Sequence, residues 1–345
     1  MPDGNGRLPT IGIVTTPLEA RGELVAAVVD HLAGQGWTAH VLSGKRRNGA
    51  SIRSGSAPQL LHLASAALAH DWMGVARAVQ ARTVVSLHGD DVTATTVALP
   101  RRLPLAWAGA DALHVESEGL AALVHEQRDG ARIVSVIPPL ADPVLLGGGG
   151  ATRAARAPLR LLSVGALSWT SGYEFGLAGV KLLVDRGIAC EYRIVGHGAH
   201  QDAVAFARHQ LGLDACVELV DPSSPPELRE HLRWADVLVD TAVLPSSQST
   251  ILDAQAAGVP IVTSQPPEGA VTTVLPVAPR DPQALGDALA RLTSDQDLRD
   301  RLVAAGRERA RQAPTIATQA ARFQDLYREV LAVDEGVALD VYARP

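Results

Sequence analysis

The chain has 345 residues, too many for one ordinary hydrophobic core, and this length predicts two α/β domains of about 150 residues each. A hydrophobic fraction of 47% with 20% charged residues is typical of a globular protein, and the net charge of −6 argues against nucleic-acid binding. Because no apolar run approaches the ~18 residues of a membrane span and the amino terminus lacks a signal-peptide layout, we expect a soluble, cytoplasmic protein with no transmembrane segment.

The first part of the chain alternates between strand and helix patterns. It predicts helices over residues 24–32 and 70–80 and six strands, at residues 10–14, 39–43, 59–63, 83–87, 112–115 and 133–137. Polar residues follow two of these strands, namely His88-Gly89-Asp90-Asp91 after the fourth and Glu116 to Gly119 after the fifth. His62, near the end of the third strand, is expected to be structural.

A run of glycines, Gly147 to Gly150, followed by residues 151–156, is the clearest break in composition. Such a run is typical of a flexible linker. It predicts a first domain over residues 8–146, a linker over 147–157 and a second domain over 158–313. The last helix, residues 314–333, is expected to pack back onto the first domain, and residues 334–345 form a tail.

The second domain repeats a strand-loop-helix unit. Its strands are predicted at residues 159–165, 192–196, 217–220, 236–240 and 259–263. Its helices are predicted at residues 173–183, 204–211, 226–234, 251–257, 281–292 and 294–311. The strands are continuous apolar runs, as in strands buried on both faces, so the fold class is α/β with doubly wound parallel sheets.

Glycines and small polar residues follow the strands of this second domain. Gly165, Gly196 and the turn from Pro245 to Ser249 all fall at carboxyl ends of strands. In such sheets, ligands bind at that edge, where glycines let the backbone approach a ligand and helix N-termini attract anions. The pattern predicts a site for a nucleoside diphosphate; the alternative is that the glycines only make tight turns.

Several short motifs occur in a specific order along nearly the whole chain. They include Leu87 to Asp91, Tyr192 to Gly198, Trp234 to Val237 and Leu252 to Pro260. This order resembles that of retaining, nucleotide-sugar-dependent glycosyltransferases of family 4, which have the GT-B architecture. The resemblance implies two Rossmann-like domains that face each other across a hinged cleft.

The resemblance also implies roles for particular residues. His88 would lie beside the transferred sugar, Gly22 would meet the phosphate from the first domain, and Asp253 would bind the ribose. The backbone N–H groups of the turn would hold phosphate and sugar, and two glycines would let the backbone approach the donor; these residues are Ser246, Ser247, Gln248, Ser249, Gly165 and Gly196. The donor would be UDP- or GDP-linked, with no metal and no other cofactor.

Three positions depart from the family pattern. Ala166 stands where the family has an Arg that grips the diphosphate, Ser171 where it has a Lys, and Pro245 where it has the first of two Glu residues. Nearby cations that could replace the lost charge are Arg160, Arg193 and His197.

Three functions therefore remain open. One is sugar transfer to a small-molecule or secondary-metabolite acceptor. The second is a catalytically silent GT-B protein that partners another enzyme, and the third is a GT-B enzyme that transfers to sulfur or nitrogen. A homodimer is compatible with each of them.

Overall fold

The computed structural model describes residues 9–15, 22–43, 57–89, 91–92, 109–126, 133–148, 157–221, 224–244 and 248–332. Its strands are β1 Thr10–Thr15, β2 Thr38–Ser43, β3 Leu60–Leu63, β4 Arg82–Leu87, β5 Ala112–Val115, β6 Ile133–Val136, β7 Leu159–Val164, β8 Cys190–Val195, β9 Val217–Val220, β10 Val237–Asp240, β11 Ile261–Thr263 and β12 Leu275–Pro276. Its α-helices are α1 Gly22–Gly34, α2 Ala66–Ala78, α3 Glu118–Glu126, α4 Pro143–Leu146, α5 Tyr173–Asp185, α6 Gln201–Gln210, α7 Pro225–Trp234, α8 Ser249–Ala257, α9 Pro282–Ser294, α10 Gln296–Gln312 and α11 Ile316–Ala332.

The strands form two parallel six-stranded sheets, which confirms the predicted α/β class. The first sheet has the order β2-β1-β3-β4-β5-β6 and the second the order β12-β11-β10-β7-β8-β9. The strand order reverses between β1 and β3 in the first sheet and between β7 and β10 in the second. A reversal of this kind separates the loops on either side of the sheet and opens a crevice at the carboxyl ends of the strands. The topology therefore places one crevice in each half of the chain.

Each sheet is covered by apolar side chains on both faces, which explains why its strands lack an alternating pattern. In the first sheet one face packs with α2 and α3, and the other packs with α1 and α11. In the second sheet one face packs with α5, α6 and α9, and the other with α7 and α8. The last helix thus returns to the first sheet, where Phe323 and Tyr327 pack with Ile11 and Val84.

The end of the predicted first domain packs with the second sheet instead. Ala141 and Leu145 lie in the same buried cluster as Leu228, Leu252 and Ile261. The composition break after residue 146 marked a change in residue type, whereas the change of core occurs a few residues earlier. Asp142 begins α4 as its N-cap, with its side chain accepting from the backbone N of Val144 at 2.9 Å.

Some element boundaries differ from the sequence prediction. Helix α2 begins at Ala66, four residues before the predicted start, because Ala66 and Ala69 are fully buried and the alanine-rich start shows little periodicity. Helix α3 and strand β12 were not predicted, since the first follows a run of polar residues and the second has two residues. In the described residues, no helix combines the length and the apolar character needed to cross a membrane.

Candidate active site

The crevice of the second sheet contains a small cavity at the point where the strand order reverses. The cavity has a volume of about 170 Å³ and is lined by the ends of β7 and β10 and the loop that follows each. Asp240 lies there, and its carboxylate accepts from Thr263 Oγ1 at 2.7 Å and from the backbone N of Ala242 at 3.3 Å. Burial raises the pKa of this carboxyl group. The cavity is smaller than the roughly 300–1,000 Å³ of typical ligand sites, so a ligand must extend beyond it.

The loop after β7 carries the predicted donor residues Gly165, Ala166 and Ser171, and all of them line this cavity. Gly165 and Ala166 are exposed. The Ser171 hydroxyl donates to Ala166 O at 2.6 Å, so this side chain closes its own loop. Gly172 follows with φ 61°, and a Cβ there would lie 2.3 Å from Thr241 O, which explains the glycine before α5.

Gly196 has a packing role that needs no ligand. A Cβ at this position would lie 1.9 Å from Gly165 O, so the two loops could not approach each other with any other residue. The backbone N of Gly165 also donates to Val195 O at 3.0 Å. Gly196 therefore lets the loop after β8 pack directly against the Gly165 loop and support it.

A second, larger cavity of about 550 Å³ lies between the two sheets. Ala166 and Thr250 line both cavities, so the two spaces meet there. His88, Ser249 and Asp253 line the larger one, which brings predicted residues from both halves of the chain to one site. Its volume lies within the range of typical ligand sites.

His88 follows β4, and its two ring nitrogens both face hydrogen-bond acceptors. Nδ1 lies 3.1 Å from Glu116 Oε1 and Nε2 lies 3.1 Å from Ala64 O. A carbonyl oxygen and a carboxylate can only accept, so both nitrogens carry protons and the ring is an imidazolium paired with Glu116. Burial lowers the pKa of His88, but the carboxylates of Glu116 and Asp91 outweigh this effect and raise it to about 10.

Glu116 joins the two halves of the chain, a role that was not predicted from its sequence pattern. It follows β5, its side chain is 7% exposed, and its Oε2 accepts from the backbone N of Gln248 at 3.2 Å. Ser249 Oγ lies 3.5 Å from Oε1, at the outer limit of a hydrogen bond. The only sequence signal for this role was the position of Glu116 directly after β5. This strand lies next to β4, which is followed by His88.

Asp253 lies in the second turn of α8, and its carboxylate is already bonded. Oδ1 accepts from the backbone N of Asp142 at 2.9 Å. The Asp142 carboxylate in turn accepts from Arg229 Nε at 2.6 Å. This chain of contacts ties α8 to α4 and α7, so Asp253 has a structural partner at the wall of the larger cavity.

The remaining predicted residues are placed as follows. Gly22 is the first residue of α1. Asp90, Pro245, Ser246 and Ser247 lie outside the described residues.

The proposed replacement cations lie elsewhere. Arg193 is 4.1 Å and Arg160 5.6 Å from the centre of the Trp234 ring, on which both guanidinium groups stack. They also pair with acidic residues of the neighbouring strands. His197 is exposed. Within the described residues, no Arg or Lys lines either cavity.

A buried chain of hydrogen bonds forms the wall of the larger cavity below His88. His114 Nε2 must donate to Ile137 O at 2.9 Å, so its Nδ1 accepts from Ser86 Oγ at 2.8 Å. Ser86 has then used its proton and accepts from His62 Nε2 at 2.8 Å, while His62 Nδ1 accepts from the Tyr327 hydroxyl at 2.7 Å. Burial lowers the pKa of His62 to about 3 and that of His114 to about 4, so both rings are neutral.

Residues 158–295 match a protein family described as glycosyl transferases group 1. The chain is 29% identical over 246 residues to D-inositol 3-phosphate glycosyltransferase from Corynebacterium glutamicum, and this match covers 65% of the chain and 58% of that relative.

Solved structures have the same fold at low sequence identity. Sucrose-phosphate synthase from Thermosynechococcus elongatus superimposes with a TM-score of 0.72 at 16% identity, over 94% of this chain and 100% of that one. HepE from Anabaena, in complex with UDP-glucose, has a TM-score of 0.70 at 11% identity, over 93% of this chain and 100% of that one. The predicted GT-B architecture is thereby confirmed. Residues 158–295 form a domain of the glycosyl transferases group 1 family, in a chain that has the GT-B fold.

Proposed function

We propose that this chain transfers a sugar from a nucleoside-diphosphate sugar to a small-molecule acceptor in the cleft between its two sheets. The observation that carries the proposal is the pair of adjoining cavities, which meet at Ala166 and Thr250. The smaller lies at the switch point of the sheet in the glycosyl transferases group 1 domain, where such sheets bind nucleotides. The HepE structure in complex with UDP-glucose favours a UDP-linked donor over a GDP-linked one.

In this proposal the second domain holds the donor. The backbone at Gly165 approaches the diphosphate, and the first turn of α8, with Gln248 and Ser249, offers N–H groups to it. Asp253 accepts from the ribose hydroxyls, and Gly22 meets the phosphate from the first domain. The acceptor enters the larger cavity from the first-domain side, where Phe323 and Tyr327 form an aromatic wall.

The chemistry needs little reactive machinery from the protein. The anomeric carbon loses a nucleoside diphosphate and gains the acceptor oxygen, while the protein aligns the two groups and stabilises the charge that develops on the leaving diphosphate. A retaining course and independence of metal ions follow from the family resemblance. Because Ala166 and Ser171 carry no charge, stabilisation of the diphosphate falls to backbone N–H groups and to His88.

Nucleotide binding tests the proposal directly. Titration calorimetry with UDP, GDP and dTDP, and then with their sugars, should show binding by at least one nucleotide, with release of the nucleoside diphosphate once an acceptor is supplied. A protein that binds none of them at millimolar concentration would contradict the proposal. That result would support the second candidate, a silent partner of another enzyme, which the uncharged Ala166 and Ser171 favour.

The Asp253 assignment can be tested without losing the fold. In Asp253→Asn the side-chain oxygen still accepts from the backbone N of Asp142, but the carboxylate charge offered to the ribose is lost. We expect donor affinity to fall roughly tenfold, the loss of about one charge-assisted hydrogen bond. Asp202→Asn, an exposed substitution in α6, is the matched control. Equal affinities of the two variants would exclude ribose binding by Asp253.

A further inference from the structure

We propose that Glu116 is a positioning residue whose carboxylate lies at the place of the donor diphosphate, so that the diphosphate replaces it on His88 and on the first turn of α8. The inference rests on the proposed function, because it concerns how the donor enters the same cleft. His88 would then supply the leaving diphosphate with the positive charge that Ala166 and Ser171 lack.

The first-domain side of the contact is a pre-formed anion receptor. His88 is held by Ala64 O on Nε2, which directs its Nδ1–H toward the cleft and onto Glu116 Oε1. The His88 backbone N is bound by Asp91 Oδ2 at 2.9 Å, which fixes the loop after β4. An N–H donor on a charged ring, at the wall of a cavity between two domains, suits a phosphate oxygen as well as a carboxylate.

The second-domain side is a helix N-terminus that is not capped by the side chain of its own N-cap residue. The N-cap residue of α8, Gln248, makes no side-chain capping hydrogen bond, and the first turn of α8 contains no acidic residue. Glu116 comes from the other domain and accepts from the Gln248 backbone N, as a capping carboxylate would. Ser249 Oγ lies beside the same carboxylate. The carboxylate thus stands where the helix dipole and the N–H groups of the first turn attract an anion.

Two anions cannot share these donors. The cavity wall already carries Asp91 and Asp253, and like charges in contact are destabilising where water is partly excluded. His62 and His114 face the pair from β3 and β5, but both are neutral and offer no compensating charge. A diphosphate that binds to the first turn of α8 must therefore displace the Glu116 carboxylate. His88 Nδ1–H is then released to donate to a phosphate oxygen, and the phosphate takes over as the counter-ion of the imidazolium.

The exchange predicts that removing the Glu116 charge strengthens nucleotide binding. In Glu116→Gln the side chain keeps its size, and the His88 proton is no longer stabilised by a carboxylate at 3.1 Å. At pH 6, UDP should bind roughly tenfold more tightly than to the wild type, as expected for loss of one screened like-charge contact, because the bound diphosphate replaces the carboxylate as the counter-ion that keeps His88 protonated. Glu118→Gln, at an exposed position two residues along, is the matched control and should leave the affinity unchanged.

The pH profile separates this mechanism from a general loosening of the cleft. From pH 6 to 8, wild-type affinity for UDP should change only with the second ionisation of the UDP phosphate, because His88 keeps its proton over this range. Relative to the wild type, the affinity of Glu116→Gln should fall by roughly tenfold over the same range, because His88 without its carboxylate partner must take up a proton to bind the diphosphate as an imidazolium. Glu116→Asp keeps the charge and should show no gain in affinity at pH 6.

Titration calorimetry of the full chain with UDP and GDP, with thermal melting as a check of folding, measures all four proteins. The inference is overturned if Glu116→Gln binds no more tightly than the wild type at pH 6, or if Glu116→Asp gains as much as Glu116→Gln. Either result leaves the proposed function standing, because the wild type still binds a nucleotide. If neither the wild type nor the variants bind UDP or GDP, the proposed function and this inference fall together.

Discussion

Removal of the Ser86 hydroxyl should destabilise the first domain more than removal of the Tyr327 hydroxyl. In Ser86→Ala, His62 Nε2 loses its acceptor and His114 Nδ1 loses its donor, and both atoms are buried. A buried polar group without a partner costs roughly 1–3 kcal/mol, so the variant should lose about 2–6 kcal/mol. Tyr327→Phe leaves only His62 Nδ1 without a partner and should cost about 1–3 kcal/mol by the same reasoning.

Amide hydrogen exchange followed by mass spectrometry measures this difference locally. Peptides that contain β3, β4 and β5 should lose protection in the order wild type, Tyr327→Phe, Ser86→Ala. Peptides of the second sheet serve as an internal control, and Ser294→Ala, at an exposed position, should change stability by no more than about 0.5 kcal/mol. If Ser86→Ala costs no more than Tyr327→Phe, the Ser86 hydroxyl does not stabilise the fold through hydrogen bonds to both His62 and His114.

Two further predictions concern stability. The unfolding free energy should fall by about 2 kcal/mol for each of His62 and His114 between neutral pH and pH 5, because the unfolded chain binds their protons below pH 6.5 while the folded rings of His62 and His114 stay neutral down to about pH 3 and pH 4, respectively. Urea titrations across this range measure the effect, and an unfolding free energy that does not change with pH would contradict it. His88 acts in the opposite direction because its pKa is raised in the folded state. Its contribution to stability is complete below pH 6.5 and is lost as the pH rises toward 10. Gly196→Ala should cost roughly 3–5 kcal/mol because its Cβ would lie 1.9 Å from Gly165 O. Gly74→Ala in α2, where nothing lies within 4 Å of the added Cβ, should stabilise by about 0.5–1 kcal/mol, and thermal melting that ranks the two alike would exclude the close contact as the reason for Gly196.

The contact between Glu116 and α8 shows why the site could be predicted only in part. The positions of His88 and Gly165 at strand ends follow from local patterns, because a strand that ends in a polar residue or glycine delivers it to the ligand-binding edge. What each side chain contacts depends on residues far away in the chain. Asp253 is bonded to the backbone of a residue 111 positions earlier, and Glu116 to one 132 positions later.

The sequence by itself determined the two parallel sheets, the order of most strands and helices, and the return of the last helix toward the first domain. These features depend on periodicity and on the length of apolar runs, which are properties of short segments. Only the tertiary structure decided that Arg160 and Arg193 stack on Trp234, that Ala141 and Leu145 pack with the second sheet, and that His62 meets Tyr327 from 265 residues away. Such contacts depend on which strand ends and helix faces become neighbours, and no short segment contains that information. The charge state of His88 belongs to the same class, because it is set by a carboxylate on the neighbouring strand end.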